Sequence, residues 1–456
     1  MNKQRWFNYR PICLVFAFLL LGTIFAFYIT KHTALTIIVS VLVLALFIFI
    51  AILSKKVKFI LIPLLAFMVG VGAYYLTIHN FNKGVDYKPS EISARVYVVG
   101  KKNDSFLYLK ADNVILDGKK INENVIIYVY DTESLYQGIE IGSNLTIKLT
   151  NFYHSDIFAS DIPNANLIFD NTKYVVTAKI DNVLVGKTDK TFAETIKNKI
   201  KNNLYEGLTN DNAEIAYSSL FGEKEMLNES QYTAFRTSGV AHLLAVSGLH
   251  VGIITSILYF LLNKFKVKKL ARLLIVAPIL LFYMYICNFA TSIIRASIMT
   301  VVLMLADIFG EEYDSFCSIS IAGIVIFAIN PLCVYDVSFL MSFSCVLGIA
   351  MLYKPIYKAL IKANFHKKVA SSVALSLSST ISLMIIMAYY FQTLNVISIV
   401  ANLIIIPIFT IAFSIFSLYN SISKELLIDS NFSTCSCRFS NVSFIVVFFF
   451  RELSTN

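Results

Sequence analysis

Apolar residues run almost unbroken through ten stretches of the chain: 12–29, 33–53, 59–78, 240–262, 270–287, 291–309, 317–335, 337–353, 370–391 and 394–418. Crossing the hydrocarbon core of a bilayer takes roughly 20 mainly apolar residues in a helix, so each stretch predicts one transmembrane helix. Between the third and fourth the periodicity changes. Leu145, Ile147 and Leu149 alternate with Thr146, Lys148 and Thr150, and Ala94, Val96 and Val98 alternate with Arg95 and Tyr97. Alternation with period two predicts half-buried strands. Residues 106–110 and 124–130 read as further strands, with Leu116-Asp117-Gly118-Lys119 as a hairpin turn. About five short strands in roughly a hundred residues fit an OB-like barrel, a fold suited to single-stranded nucleic acid.

From Thr191 the period becomes helical, with Phe192, Ile196, Ile200, Leu204 and Leu208 recurring every fourth residue. Thr191 and Glu194 have the spacing of a capping box. Lys197, Lys199 and Lys201 fall on the other faces, and the helix fits either the membrane surface or the side of the β domain. The expected fold class is a polytopic α-helical membrane protein of about ten transmembrane helices with an inserted extracytoplasmic OB-like β domain. Its expected division is 1–78 (three transmembrane helices), 79–190 (β domain), 191–238 (amphipathic connector), 239–420 (main transmembrane domain) and 421–456 (an atypical tail).

Composition agrees, since 57% of the 456 residues are hydrophobic and the mean hydropathy is +0.68. These values exclude an ordinary soluble enzyme. The basic residues before the first stretch, Lys3, Arg5 and Arg10, resemble a signal-peptide start, but no small-residue cleavage site follows, so a retained helix is expected. The net charge of +10 raises the question of nucleic acid. Residues 79–190 carry 13 Lys and Arg against 14 Asp and Glu, so the excess lies in the membrane part. There it gathers in short loops around Lys55–Lys58, Lys264–Arg272 and Lys354–Lys368. With ten alternating spans these loops and the N-terminus share one side, which the positive-inside rule makes cytoplasmic and which places 79–190 outside. Charge therefore reports topology.

None of the seven cysteines lies in 79–190, so no disulfide is expected there. Cys435-Ser-Cys437 is too tightly spaced for a C-x-x-C site and the six histidines are scattered, so no zinc site, metal or cofactor is expected.

Polar groups inside a bilayer are costly and mark candidate functional positions. Residues 241–251, AHLLAVSGLHV, place His242, Ser247 and His250 in an apolar run. On a helix Ser247 and His250 are i,i+3 neighbours and His242 lies about 80° from His250, so all three can line one cavity. Gly239, Gly248 and Gly252 permit close helix approach or an unwound turn. The plainer alternative is hydrogen bonding to adjacent helices; a Ser–His hydrolase lacks an assignable acidic partner or oxyanion loop. Arg295, in SIIRASIM, either lines a polar path or pairs with Asp307 or Asp336. Asn330-Pro331 breaks another span, with Asp336, Ser338, Ser342 and Ser344 following, and Pro407 interrupts the last. Broken helices with polar edges line cavities in transporters. With Asn288, Gln392, Asn395 and Asn402, these groups are too many for a passive anchor.

The segments SGVAHLLAVSGLHVGII (238–254), SIIRASIM (292–299), NPLCVYDVSFLMSFSCVLGI (330–349) and NLIIIP (402–407) resemble, in this order, the signatures of the ComEC competence family. Residues 166–174 resemble the pattern that ends the family's OB-like external domain, and Leu220-Phe221-Gly222-Glu223 the segment before its histidine motif. The resemblance implies an inner-membrane channel that admits one DNA strand into a competent cell. It further implies that His242, Ser247, Gly248, His250, Arg295, Asn330, Asp336 and Ser342 line or gate the path.

Partners implied are single-stranded DNA, a surface DNA receptor, the lipid bilayer and a separate cytoplasmic ATP-driven motor, since the chain has no P-loop; a homo-oligomer is compatible. Leu340 stands where the family has glutamine, Glu311-Glu312-Tyr313-Asp314 lacks the usual arginine, and no H-x-H occurs. The expectation is therefore a short form without the metallo-β-lactamase-like domain, and no enzyme. The tail carries SFIVVFFF (443–450), too short to span, and fits an inactive truncated copy. A small-molecule or lipid transporter on the same scaffold is the alternative function.

Overall fold

The computed structural model describes residues 11–31, 58–83, 89–103, 106–130, 139, 141–156, 163–223, 227–237, 244, 246–391 and 405. It opens with two helices, α1 (Pro11–Lys31) and α2 (Lys58–Asn82), both apolar around most of their circumference. They cross at Gly22 and Gly70: a Cβ on Gly22 would overlap the Phe67 carbonyl oxygen, and one on Gly70 the Leu19 carbonyl oxygen. Small residues at a crossing let two backbones approach where lipid offers no hydrophobic driving force.

The polar stretch forms β1 (Glu91–Asn103), β2 (Phe106–Leu116), β3 (Lys119–Lys120), β4 (Asn124–Tyr130), β5 (Ser143–Lys148), β6 (Asn151–His154), β7 (Thr172–Lys179) and β8 (Val183–Thr188). They make one sheet in the order β6-β7-β4-β2-β1-β5-β8, with β3 beside β2. The β4–β7 pair is parallel and the others are antiparallel. β5 pairs with β1, whereas β6, immediately after it, pairs with β7. One bent segment thus joins the two ends of the path β1-β2-β4-β7.

Alternation buries Ile92, Leu109, Leu116, Val125, Ile127, Ile147 and Val176 completely in one core. The expected hairpin turn is present, with Asp117 at φ 44° and Gly118 at φ 82°. Two left-handed residues match the twist of a two-residue hairpin. A bulge at Asn113, φ 50°, shifts the β1–β2 register so that Arg95 stands opposite Asp112. Arg95, expected on the outer face of an alternating strand, is consequently buried.

Helices follow: α3 (Ala165–Phe169, inside the sheet region), α4 (Phe192–Gly207), α5 (Asn210–Phe221), α6 (Glu229–Thr237), α7 (Gly248–Lys264), α8 (Lys269–Ile286), α9 (Thr291–Phe309), α10 (Ser315–Ile329), α11 (Val337–Lys362) and α12 (Lys367–Ile386). The Thr191/Glu194 capping box forms at the start of α4. α4 does not present a uniform apolar stripe inward. Phe192 is exposed, while Glu194 and Lys197 are buried, because both are neutralised by ion pairs.

Among the described residues six helices are long and apolar enough to cross a membrane: α1, α2, α8, α9, α11, and α12 with its continuation to Tyr390; α7 and α10 are apolar but shorter. The expected spans 33–53 and 394–418 lie outside the described residues. The fourth span differs from expectation, because Ser247 is extended (φ −124°, ψ 172°) and α7 begins only at Gly248. Asn330-Pro331 breaks the chain as expected, ending α10 and opening a 3₁₀ turn, Pro331–Tyr335, before α11.

Candidate functional site

The polar groups of the helical part meet where α7, α9 and α11 converge. Ser247 caps α7: its Oγ accepts from the Leu249 N–H (3.3 Å), and His250 reaches back so that its Nδ1 accepts from the Ser247 N–H (3.0 Å). The 3.2 Å approach of Ser247 Oγ to His250 Nδ1 therefore belongs to a capping box, with histidine in the place usually taken by glutamate or glutamine. His250 is fully buried. The i,i+3 relation expected from sequence holds, but it fastens a helix end rather than lining the middle of a helix.

Arg295, one turn into α9, abuts this helix end. A Cβ on Gly248 would lie 3.1 Å from Arg295 Nη2 and 3.5 Å from Ala296 Cβ. Arg295 is 7% exposed. Its Nε donates to Ser342 Oγ on α11 (2.7 Å) and its Nη1 to Met299 Sδ (3.4 Å). Neither expected counter-charge reaches it. Asp307 pairs with Lys269 (2.8 Å) and accepts from Tyr259. Asp336 caps α11 through the Ser338 and Phe339 N–H groups and accepts from Thr291 Oγ1 (3.1 Å). Among the described residues no carboxylate pairs with Arg295.

A guanidinium stays protonated under all ordinary conditions, and a helix N-terminus carries about half a positive charge. At about 4 Å and an effective dielectric of 20 the two repel by roughly 2 kcal/mol. Such an arrangement persists only because packing holds both partners. The stitches are visible: Ser292 Oγ on α9 donates to the Val246 carbonyl (2.5 Å), and Thr291 and Arg295 tie α9 to α11.

Of the expected site residues, Ser247, Gly248, His250, Arg295 and Ser342 are thus brought together. His242 lies outside the described residues. Asp336 stands at the edge as a cap. Asn330 is elsewhere: its Nδ2 donates to the Ala165 carbonyl of α3 (3.0 Å) and its Oδ1 accepts from the Leu332 N–H, so it fastens the membrane helices to the sheet region.

A second polar feature was not foreseen. Between the sheet, α4, α5 and the α8–α9 turn lies a cleft of about 400 Å³. Arg95 holds Asp112 through a fork (Nε 3.0 Å, Nη2 2.8 Å) and Glu194 through Nη1 (2.8 Å). Lys197 pairs with Glu223 at 2.7 Å, and Tyr217 donates to the same carboxylate at 3.0 Å. Burial works against the charge of Arg95, but the hydrogen bonds and charges of Asp112 and then Glu194 outweigh it and hold its pKa above the usual arginine value. Burial, followed by the negative charge of Asp170, pushes the Tyr97 phenol well up.

The turn closing the cleft carries Asn288 and Phe289 at φ 52° each. A left-handed phenylalanine is strained by about 1–2 kcal/mol; hydrogen bonds from its N–H to the Met284 carbonyl and from Asn288 to Tyr285 hold it there. The spacing of Thr191 and Glu194 had signalled the cap, but nothing local shows that Glu194 also receives Arg95. Among the described residues no three His, Cys, Asp or Glu gather as metal ligands would.

A family profile described as "Competence protein" matches residues 219–453, just over half of the chain, including α7, α9 and α11. The chain belongs to the competence protein family. Membership bears out the ComEC resemblance read from the four ordered segments. ComE operon protein 3 of Bacillus subtilis (strain 168) is 25% identical to this competence-family chain over 200 residues, which are 44% of the chain and 25% of the relative. An uncharacterized protein of Aquifex aeolicus (strain VF5) is 31% identical over 141 residues, 31% of the chain and 33% of the relative. The chain thus spans a third or less of the length of these relatives. No solved structure matches it.

Proposed function

We propose that the chain carries single-stranded DNA across the cytoplasmic membrane during natural transformation, with the seam between α7, α9 and α11 lining or gating the path. The observation that carries this is Arg295: a buried cation that among the described residues meets no carboxylate, at the junction of three apolar helices, in a protein of the competence family. A structural arginine in a bilayer acquires a counter-charge, because an unpaired one is costly there; one left without it suits a polyanion in transit.

The sheet supports the same function as an OB-like domain. Support comes from the parallel β4–β7 pair inside an otherwise antiparallel path and from the bent β5–β6 segment that joins β1 to β7. Tyr108 and Tyr128 form a cross-strand ring pair 5.6 Å apart on the face opposite the core, the kind of surface on which unpaired bases stack. The ten apolar runs of the sequence are taken as ten spans. The basic loops put the N-terminus in the cytoplasm and 79–190 outside. On this topology the sheet, the cleft and Arg295 lie toward the same, outer side. A separate ATP-driven motor and a surface receptor complete the pathway, and the chain itself performs no catalysis.

The test is uptake of fluorescently labelled duplex DNA by a deletion strain. Label should remain at the surface and none should enter the cytoplasm; restoration by the wild-type gene but not by Arg295→Gln places the seam in the path. Normal transformation of the deletion strain would refute the proposal.

A further inference from the structure

Arg295 has five N–H donors in a planar fork. Among the described residues its acceptors are one hydroxyl, Ser342 Oγ, and one thioether, Met299 Sδ, a weak acceptor. Nη2 takes neither and is directed at Gly248, the first residue of α7. Arg295 is nine-tenths buried and among the described residues pairs with no carboxylate, since Asp307 and Asp336 are engaged elsewhere. A helix N-terminus attracts anions through its dipole, and here that end is fixed by the cap in which Ser247 takes the Leu249 N–H and His250 the Ser247 N–H. Two positive groups therefore face each other across a residue with no side chain.

We infer that Arg295 and the first turn of α7 form a binding site for one phosphate-type oxyanion, which, given the DNA-transport function proposed above, is a single backbone phosphodiester of the passing strand. Arginine suits this role because its fork meets two oxygens of one phosphate. Glycine at 248 suits it because a Cβ there would lie 3.1 Å from Nη2 and 3.5 Å from Ala296 Cβ, crowding the free edge of the fork. Ser342 holds Nε and so aims the free edge of the fork.

The experiment uses the full chain, delipidated in maltoside detergent. Three variants are compared with wild type: Arg295→Gln, Gly248→Ala, which keeps the charge and the Ser342 hydrogen bond, and Gly72→Ala as a control with open space around its Cβ. Inorganic phosphate should raise the thermal midpoint of wild type and Gly72→Ala above that in chloride of equal ionic strength, as any ligand of the native state does. The first two variants should lose this shift.

Binding of a fluorescein-labelled oligothymidine should weaken in both, and its log–log salt slope should fall by about 0.7, the share of one phosphate on a single strand. A methylphosphonate oligomer, lacking backbone charge, should bind wild type and Arg295→Gln alike. No phosphate shift in wild type, or an undiminished shift in Gly248→Ala, overturns the inference. Phosphate binding without any oligonucleotide binding upholds the anion site and refutes DNA transport. Oligonucleotide binding whose slope is unchanged in Arg295→Gln upholds DNA transport and overturns the site. A midpoint raised by phosphatidylglycerol in an Arg295-dependent way, with no competition by the oligonucleotide, overturns the strand as occupant and assigns a lipid headgroup.

Discussion

Replacing Arg95 by methionine removes the only cation from a buried three-residue network while keeping most of the side-chain volume. Its guanidinium is 9% exposed and joins Asp112, 27% exposed, to Glu194, 11% exposed. Removing one partner of a buried pair costs about 3–5 kcal/mol, because the remaining charge stays buried and unpaired. Asp112 is partly hydrated, so the lower end, ~3 kcal/mol, applies. At 1.36 kcal/mol per decade that is about a hundredfold.

The network ties β1 to α4 across 99 residues of sequence, so the effect is local opening rather than global unfolding. The assay is amide hydrogen exchange in detergent on β1, β2 and α4, where protection should fall by about two decades while α9 and α11 are unchanged. A double variant, Arg95→Met with Glu194→Gln, should recover part of the loss. Glutamine still closes the capping box with Thr191, and the buried charge is gone. Unchanged protection in Arg95→Met, or losses in the double variant that simply add, would refute the idea that this network docks α4 on the sheet.

Gly70→Ala should disrupt the α1–α2 crossing at a cost of about 1–3 kcal/mol, read as loss of monodisperse protein after detergent extraction, whereas Gly72→Ala, with nothing within 4 Å, should behave as wild type. Asn330→Ala removes the donor to Ala165 and the acceptor of Leu332 N–H. About 1–3 kcal/mol should appear as faster exchange at the start of the Pro331–Tyr335 turn and in α3, with the middle of α11 unaffected. Asp117 accepts from the Glu91 N–H and from the Ser90 hydroxyl and N–H, which holds its pKa below the usual carboxylate value. Its stabilisation of the β2–β3 turn is therefore complete above the ordinary aspartate pKa and is lost as pH falls through the lowered one. Turn protection should decline below pH 4 in wild type and be pH-independent in Asp117→Asn.

Elements whose signal is local can be read directly along the chain. Unbroken apolar runs become helices because a chain in lipid must satisfy its own backbone hydrogen bonds. Alternation in 124–130 becomes β4, Asp117-Gly118 a left-handed turn, Thr191 and Glu194 a cap, and Asn330-Pro331 a break. These depend on backbone geometry within a few residues. The start of α7 was misplaced for a related reason: an apolar run marks depth in the membrane, whereas the helix end is set by Ser247 and His250 closing a cap.

Tertiary structure alone decided partners. Arg295 had two aspartates in reach by sequence, yet packing gave both to other groups and left the guanidinium facing Gly248. Lys197 and Arg95, surface residues by periodicity, became buried because Glu223 and Glu194 arrive from distant segments. Asn330 found a carbonyl 165 positions away. Side-chain type announces that a polar group in a membrane helix needs company; only the crossing of helices determines which company it receives, and at Arg295 that company is Ser342 and Met299.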